Sequence, residues 1–330
     1  MSLPVLTQAS APLTCEVNAV NEYGEQHLIS IPAERALTVY VDKRELVTLM
    51  TLGAHPELMV LGYLRNQRLV NSPGDIESIT VDWDVGAAAV KTRRGIKGIA
   101  KKTARRVVTT GCGQGSVFGG LMDEVDQIVL PVHAHITQSQ LYGLVNTIRL
   151  KETTYKSAGS VHACALFEAS GSGDSMLIFV EDVGRHNAID TIAGWMAMNM
   201  APRLPTACGS LPPEGAAAPA DWQSHIRGPG WSGSEVPTLA SSASGLVFYT
   251  TGRLTSEMII NSAQMGVPIV VSRSGITQMG HQIAQSVGLC AIGRATNKRF
   301  VCYTHPQRLK LEPGLLSRSE AGQEPRRDTV

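Results

Sequence analysis

Among the six cysteines of this 330-residue chain, Cys112 has the setting of a reactive thiol. Gly111 and Gly113 flank it and Gly115 follows, so the backbone can turn tightly and a bulky group can approach the sulfur. Just upstream, residues 91–106 hold Lys91, Arg93, Arg94, Lys97, Lys101, Lys102, Arg105 and Arg106 with no acid among them. Nearby positive charge lowers a thiol's pKa and raises the share of thiolate, the nucleophilic form. Position 118 is Phe, where a tyrosine-phosphatase loop needs arginine, and position 115 is Gly, where a Cys-x-x-Cys oxidoreductase needs its second cysteine. The zinc-deaminase combination of His-x-Glu with Pro-Cys-x-x-Cys is absent. What remains is a solitary activated thiol, suited to carrying a group rather than to redox cycling. Cys15, Cys164, Cys208, Cys290 and Cys302 lack this setting and read as ordinary structural cysteines.

A second set of residues suits anions. Glu181-Asp-Val-Gly-Arg-His186 ends one apolar run and opens a helical pattern, which places Gly184, Arg185 and His186 at a helix N-terminus, where free N–H groups favour negative charge. Thr250-Thr-Gly-Arg253, Val271-Ser-Arg-Ser-Gly275 and Arg294-Ala-Thr-Asn-Lys-Arg299 each follow a short apolar run in the same way. If their strands are parallel, these loops meet at one sheet edge as a basic, hydroxyl-lined rim for phosphates or a dinucleotide-like ligand. His133 and His135 lack partnering carboxylates and read as incidental, and His162 reads as a hydrogen-bonded core histidine.

The elements that must position these groups can be read from periodicity. Residues 37–49 read as a hairpin around Asp42-Lys43, Pro56 opens a helix with a Leu58, Leu61, Leu64 stripe, and 76–85 alternates like a strand. Thr137 and Gln140 form a capping box ahead of a helix at 138–150, with Ile136 stapled to Leu141. Strands at 161–167 and 176–180 precede a helix carrying Ile189, Ile192, Ala193 and Met196. Residues 201–244 contain seven prolines and read as a flexible insertion. From 245 the pattern is strand, helix (255–265), strand, helix (277–287), strand, strand, with Gly266 and Gly288 at helix ends. The organisation expected is a flexible lead-in over 1–34, an N-terminal α+β region over 35–136 carrying the Cys112 loop, an α/β domain over 137–305, and a disordered tail over 306–330. Strands alternating with helices imply a mostly parallel sheet covered on both faces.

The formal net charge of +1 argues against bulk nucleic acid or an anionic membrane as partner, and no stretch reaches the apolar length of a membrane span. Scattered cysteines without a signal peptide suit a soluble, cytoplasmic protein.

In order along the chain, Thr110-Gly-Cys-Gly113, Ser160-Val-His-Ala163, Glu181-Asp-Val-Gly-Arg-His186, Gly252-Arg253, Val271-Ser-Arg-Ser274 and Tyr303-Thr-His-Pro-Gln-Arg308 resemble the FdhD family of formate dehydrogenase accessory sulfurtransferases. The resemblance spans 35–309 apart from the 201–244 insertion. It implies a cytidine-deaminase-like α/β sandwich with a mixed, largely parallel sheet and no metal of its own. It implies that Cys112 takes sulfur from a cysteine desulfurase as a persulfide. The acceptor would be the molybdenum bis(molybdopterin guanine dinucleotide) cofactor, held at Arg294, Ala295, Thr296, Asn297, Lys298 and Arg299. It further implies a homodimer serving the formate dehydrogenase catalytic subunit. Many relatives carry a second cysteine where this chain has Gly115, so a two-cysteine relay is not expected. The rival reading is a guanine-nucleotide or cofactor-binding chaperone without covalent sulfur transfer, and a hydrolytic deaminase would require a metal.

Overall fold

The computed structural model describes residues 2–96, 107–108, 115–116, 128–170, 173–200 and 245–315. In the N-terminal half, β1 (Val5–Leu6), β4 (Arg35–Val41), β5 (Arg44–Thr51), β6 (Ile76–Asp82) and β7 (Ala87–Thr92) form one sheet in the order β1-β6-β7-β4-β5. Asp42 and Lys43 join β4 to β5 with φ of 48° and 71°, the two-residue turn whose twist matches the flanking strands. Leu37, Val39, Leu49, Ile76, Ile79 and Val90 point into a core closed by Met59, Val60 and Leu64 of α1 (Pro56–Asn66).

The first 34 residues are more ordered than their sequence suggests. β2 (Thr14–Val20) and β3 (Gln26–Pro32) pair in antiparallel register as a separate hairpin. At its tip Asn21 Oδ1 accepts from the N–H groups of Tyr23 (3.0 Å) and Glu25 (2.9 Å), and Gly24 supplies a φ of 81°. Neither strand buries a core face, so the alternation that marks a half-buried strand is missing.

The C-terminal half is built on a six-stranded sheet of β11 (His162–Ser170), β12 (Gly173–Asp182), β13 (Leu246–Thr250), β14 (Ile269–Ser272), β15 (Cys290–Thr296) and β16 (Arg299–Cys302), in the order β12-β11-β13-β14-β15-β16. It is mixed rather than largely parallel: β13–β14 and β14–β15 are parallel, whereas β11–β12, β11–β13 and β15–β16 are antiparallel. The turn-rich links at 171–172 and 297–298 are too short for a crossover, which forces those two pairs to be hairpins. On one face lie α4 (Arg185–Asn199), α5 (Ser256–Gln264) and α6 (Gln278–Ser286), packed through Ile189, Ile192, Met196, Ile259, Ile260 and Ile283.

The other face is covered by α2 (Gln138–Lys151), whose Leu141, Leu144, Val145 and Ile148 meet Phe167, Val247, Tyr249, Ile269 and Val271. Its capping box is present: Thr137 Oγ1 accepts from Gln140 N at 3.2 Å, and Gln140 Oε1 accepts from Thr137 N at 2.8 Å. The short α3 (Thr154–Ala158) follows. Part of the expected tail is also structured, since β17 (Leu309–Lys310) pairs in parallel with β10 (Ile136–Thr137) ahead of α2.

The two halves meet where α1 crosses α4. A Cβ on Gly62 would run into the carbonyl of Asp190, and one on Gly194 into the carbonyl of Leu58, so the helices touch backbone to backbone. Asn66 Nδ2 donates to Asp190 Oδ1 at 2.6 Å across the same contact. Sandwiched between the five-stranded sheet and α4, α1 is buried on more than the single stripe its leucines suggest. Among the described residues, no helix is long and apolar enough to cross a membrane.

Candidate anion site at the strand ends

Because β13, β14 and β15 run parallel, the loops after them emerge at one edge and are laced together by hydroxyl groups. Ser272 Oγ donates to Gly252 O at 2.6 Å and accepts from Ser274 N at 2.9 Å. Ser274 Oγ donates to Thr251 O at 2.8 Å, and Arg294 N donates to Ser274 O at 2.8 Å. Thr250 Oγ1 accepts from Gly252 N at 3.0 Å. The convergence expected of the three loops is therefore present, and the start of the Arg294–Arg299 turn is tied to it. Tyr303 lies over Gly293, where a Cβ would come within 2.7 Å of its Cε2.

Much of the Glu181–His186 motif holds the fold rather than facing outward. Glu181 accepts from the backbone N–H of Thr154 (2.9 Å) and Tyr155 (3.0 Å), satisfying the open start of α3. Asp182 accepts from Thr51 Oγ1 (2.5 Å), Leu52 N (3.2 Å), Gly184 N (3.0 Å) and Asn187 Nδ2 (2.8 Å), which pins the end of β5 to the start of α4. Burial raises the Asp182 carboxyl above its ordinary value, and those hydrogen bonds oppose the rise. Similarly, Glu152 accepts from Arg273 Nη1 at 3.2 Å, and that guanidinium lies 5.3 Å from the centre of the Tyr155 ring.

Arg185 is the member of the motif that the described residues leave with open donors. Arg185 is only 4% exposed, yet its Nε and Nη2 have no hydrogen-bond partner among the described residues. Its stem rests against Gly252, where a Cβ would come within 2.7 Å of Arg185 Cδ, so the bare glycine makes room for the arginine. Buried donors of a guanidinium left unpaired cost on the order of a few kcal/mol, and an anion bound there would recover it. The α4 N-terminus adds its own free N–H groups.

His186 stands beside this arginine with Nε2 3.1 Å from Glu257 Oε2. His162, read from sequence as a core residue, instead begins β11 at the same edge, with Nδ1 3.4 Å from Thr251 Oγ1. Burial lowers the His162 pKa, and the charges of Arg185, His186 and Arg253 lower it further, so at neutral pH it faces the site uncharged. Cys164 is also close, donating to Thr250 Oγ1 at 3.3 Å, but burial pushes its thiol up to about 12 and makes it inert. A sequence signal for His162 existed in its position two residues before Cys164, opposite Asp182 at a strand end, but the pairing that reveals it is long-range.

Of the residues singled out from sequence, Arg294, Thr296, Asn297, Lys298 and Arg299 are exposed at the tip of the β15–β16 hairpin, and Ala295 is buried. Arg294 and Asn297 take left-handed φ of 52° and 48°, the first within the irregular stretch of β15 between Gly293 and Thr296 and the second in the link to β16. Cys112 lies outside the described residues, in the 109–114 connection between β8 (Val107–Val108) and β9 (Gly115–Ser116), an antiparallel pair. Residues 97–106 of the basic segment also lie outside them. Lys91 and Arg93 are committed to the N-terminal sheet: Lys91 Nζ meets Glu77 Oε1 at 2.7 Å, and Arg93 donates to Gly74 O (3.0 Å) and Ser2 Oγ (2.8 Å).

The fold and edge together define an α/β protein with hydroxyl-laced loops at the carboxyl ends of its parallel strands. The chain belongs to the FdhD/NarQ family, whose model matches residues 32–206 and 238–310. It is similar to the sulfur carrier protein FdhD of Bacillus subtilis (strain 168), 25% identical over 277 residues covering 84% of this chain and 89% of that one. The protein of the same name from Listeria innocua is 23% identical over 85% of this chain and 91% of its own. A crystal structure of a formate dehydrogenase accessory protein from Desulfotalea psychrophila shares the fold with a TM-score of 0.61 and 19% identity, covering 90% of this chain and 100% of that chain.

Proposed function

We propose that this protein is a sulfur carrier for formate dehydrogenase, using Cys112 as its carrier thiol. The Cys112 thiolate attacks the terminal sulfur of a persulfide on a cysteine desulfurase, giving Cys112–S–SH and releasing the desulfurase thiolate. The terminal sulfur then passes to the molybdenum bis(molybdopterin guanine dinucleotide) cofactor, which is the substrate. The outer sulfur gives its proton to water, the electron pair of the S–S bond stays with Cys112 as thiolate, and the acceptor metal, losing two electrons, would supply the pair that makes the arriving atom a sulfido ligand.

Family membership and the relatives' names support the carrier role. The buried Arg185 at the α4 N-terminus, whose Nε and Nη2 find no partner among the described residues, is the observation that carries the choice of an anionic acceptor. A cofactor with guanine-dinucleotide phosphates fits that site, with the turn at Arg294–Arg299 tied to its rim through Ser274. We read the C-terminal three-layer unit as the cytidine-deaminase-like sandwich, and the working protein as a cytoplasmic homodimer.

Intact-mass analysis after incubation with desulfurase and cysteine tests the covalent step. Wild type gains one sulfur atom and Cys112→Ala gains none. A Cys112→Ala protein that still activates formate dehydrogenase in a strain lacking its own carrier would end this reading.

A further inference from the structure

Beyond the strand-end site, a second pair of reactive groups sits at the base of the β15–β16 hairpin. Cys290 opens β15 and Cys302 closes β16, and their Sγ atoms are 3.8 Å apart. The two differ in access: Cys290 is fully buried, while Cys302 is partly buried. Both are free thiols.

The surroundings give the two sulfurs different roles. The Cys290 thiol hydrogen-bonded to Cys302 holds the Cys302 pKa below its ordinary value, and the same interaction together with burial drives the Cys290 pKa up. Arg308, 8% exposed, adds positive charge near Cys290. Its guanidinium is held by backbone carbonyls, those of Gly288 (3.1 Å), Pro131 (2.6 Å) and Ala134 (3.2 Å). The result is a partly exposed thiol at contact distance from a buried one, with Cys302 Sγ also 3.4 Å from the Thr304 carbonyl oxygen. A sulfur that can be attacked from solvent, beside a thiol able to resolve the product, is the arrangement of a redox-responsive pair.

We propose that Cys302 and Cys290 form a redox modification site, a dithiol that a hydroperoxide converts into an intrachain disulfide. The Cys302 thiolate attacks the terminal peroxide oxygen and the O–O bond breaks. Cys302 becomes a sulfenic acid, and the departing alkoxide or hydroxide takes a proton from water. Cys290 then gives up its proton and attacks the Cys302 sulfur, and the S–O bond breaks with loss of water. The two thiols have lost two electrons and the peroxide has gained them.

Closing the bond brings the sulfurs to about 2.05 Å. Cys302 is directly opposite Ile292, and Cys290 lies two residues before Ile292 on β15, so the pair is diagonal across the ladder. A diagonal bond draws β16 along β15, and these strands carry the Arg294–Arg299 turn between them. The pair therefore links the oxidation state of the hairpin base to the position of the basic rim. This inference does not depend on the sulfur-carrier reading.

The test treats the full chain with hydrogen peroxide, in wild type and in a Cys112→Ala background, followed by blocking of free thiols and peptide mapping without reductant. The expected result in both is one cross-linked peptide pair containing Cys290 and Cys302, with loss of two hydrogens, reversed by dithiothreitol. In Cys290→Ala, Cys302 should instead be captured as a sulfenic acid by dimedone. In Cys302→Ser, Cys290 should remain a thiol. Wild-type protein whose Cys302 goes to sulfinic acid, or stays unmodified, without the 290–302 cross-link would overturn the proposal whatever the variants do.

Discussion

Arg185 and Gly252 are packed so closely that a Cβ on the glycine would stand 2.7 Å from the arginine's Cδ. The glycine comes from the loop after β13 and the arginine from the first turn of α4, so this one contact joins two strand-end loops.

Gly252→Ala should displace the Arg185 guanidinium while leaving the fold intact. Guanosine diphosphate, titrated calorimetrically, should bind about tenfold to a hundredfold more weakly, the loss expected for one or two charge-assisted hydrogen bonds. Arg185→Ala should reproduce the loss. Unchanged affinity in both would place the phosphates elsewhere.

Asp190 should make stability depend on pH. Burial raises its carboxyl to about 7, opposed by Asn66 and His186 and reinforced by Glu257. An unfolded aspartic acid titrates near 3.9, so between about 4 and about 7 the folded chain holds a proton that the unfolded chain has lost. Stability from this group is therefore present at low pH, declines as pH rises through that window, and levels off above it. Asp190→Asn should flatten that decline in thermal melts recorded from pH 5 to pH 8. A wild-type slope that persists in the variant would show that Asp190 is not its source.

Lys298 and Arg299 are exposed, so their contribution to binding should be electrostatic and screened by salt. Replacing both with glutamate should weaken guanosine diphosphate at low ionic strength, with wild type and variant converging as salt is raised toward about 1 M, where the Debye length is near 3 Å. Equal affinities at low salt would exclude the turn from the binding surface.

Thr137→Ala removes one half of the capping box at α2, and a loss of about 1 kcal/mol in urea denaturation is expected. Thr137→Ser should retain most of it.

Elements whose signals are local were legible from sequence. The capping box at Thr137 and Gln140, Pro56 at the start of α1, and the strand–helix alternation after 245 all reappear in the structure. The β2–β3 hairpin was hidden because neither strand buries a core face, leaving no alternation to read. Alternation with helices points to a largely parallel sheet, whereas the short links after β11 and β15 close those two pairs as antiparallel hairpins. At the site, the convergence of the loops was legible, but the division of labour within Glu181–His186 was not. Glu181 and Asp182 bind partners at Thr154 and Thr51, and only the fold brings these within reach. Cys290 and Cys302, dismissed singly, gain meaning from a 3.8 Å separation that hairpin pairing creates.

The glycine crossing of α1 and α4 limits how the molecule can be divided. A fragment beginning at residue 137 would leave Asp190 without the amide of Asn66 and Asp182 without Thr51, and would strip the backbone flank of Gly194 bare. For anyone grafting the C-terminal half of one relative onto the N-terminal half of another, the joint to match is the pair of facing helices. Gly62 must meet a carbonyl and Gly194 must admit one, so the two helices have to be exchanged together.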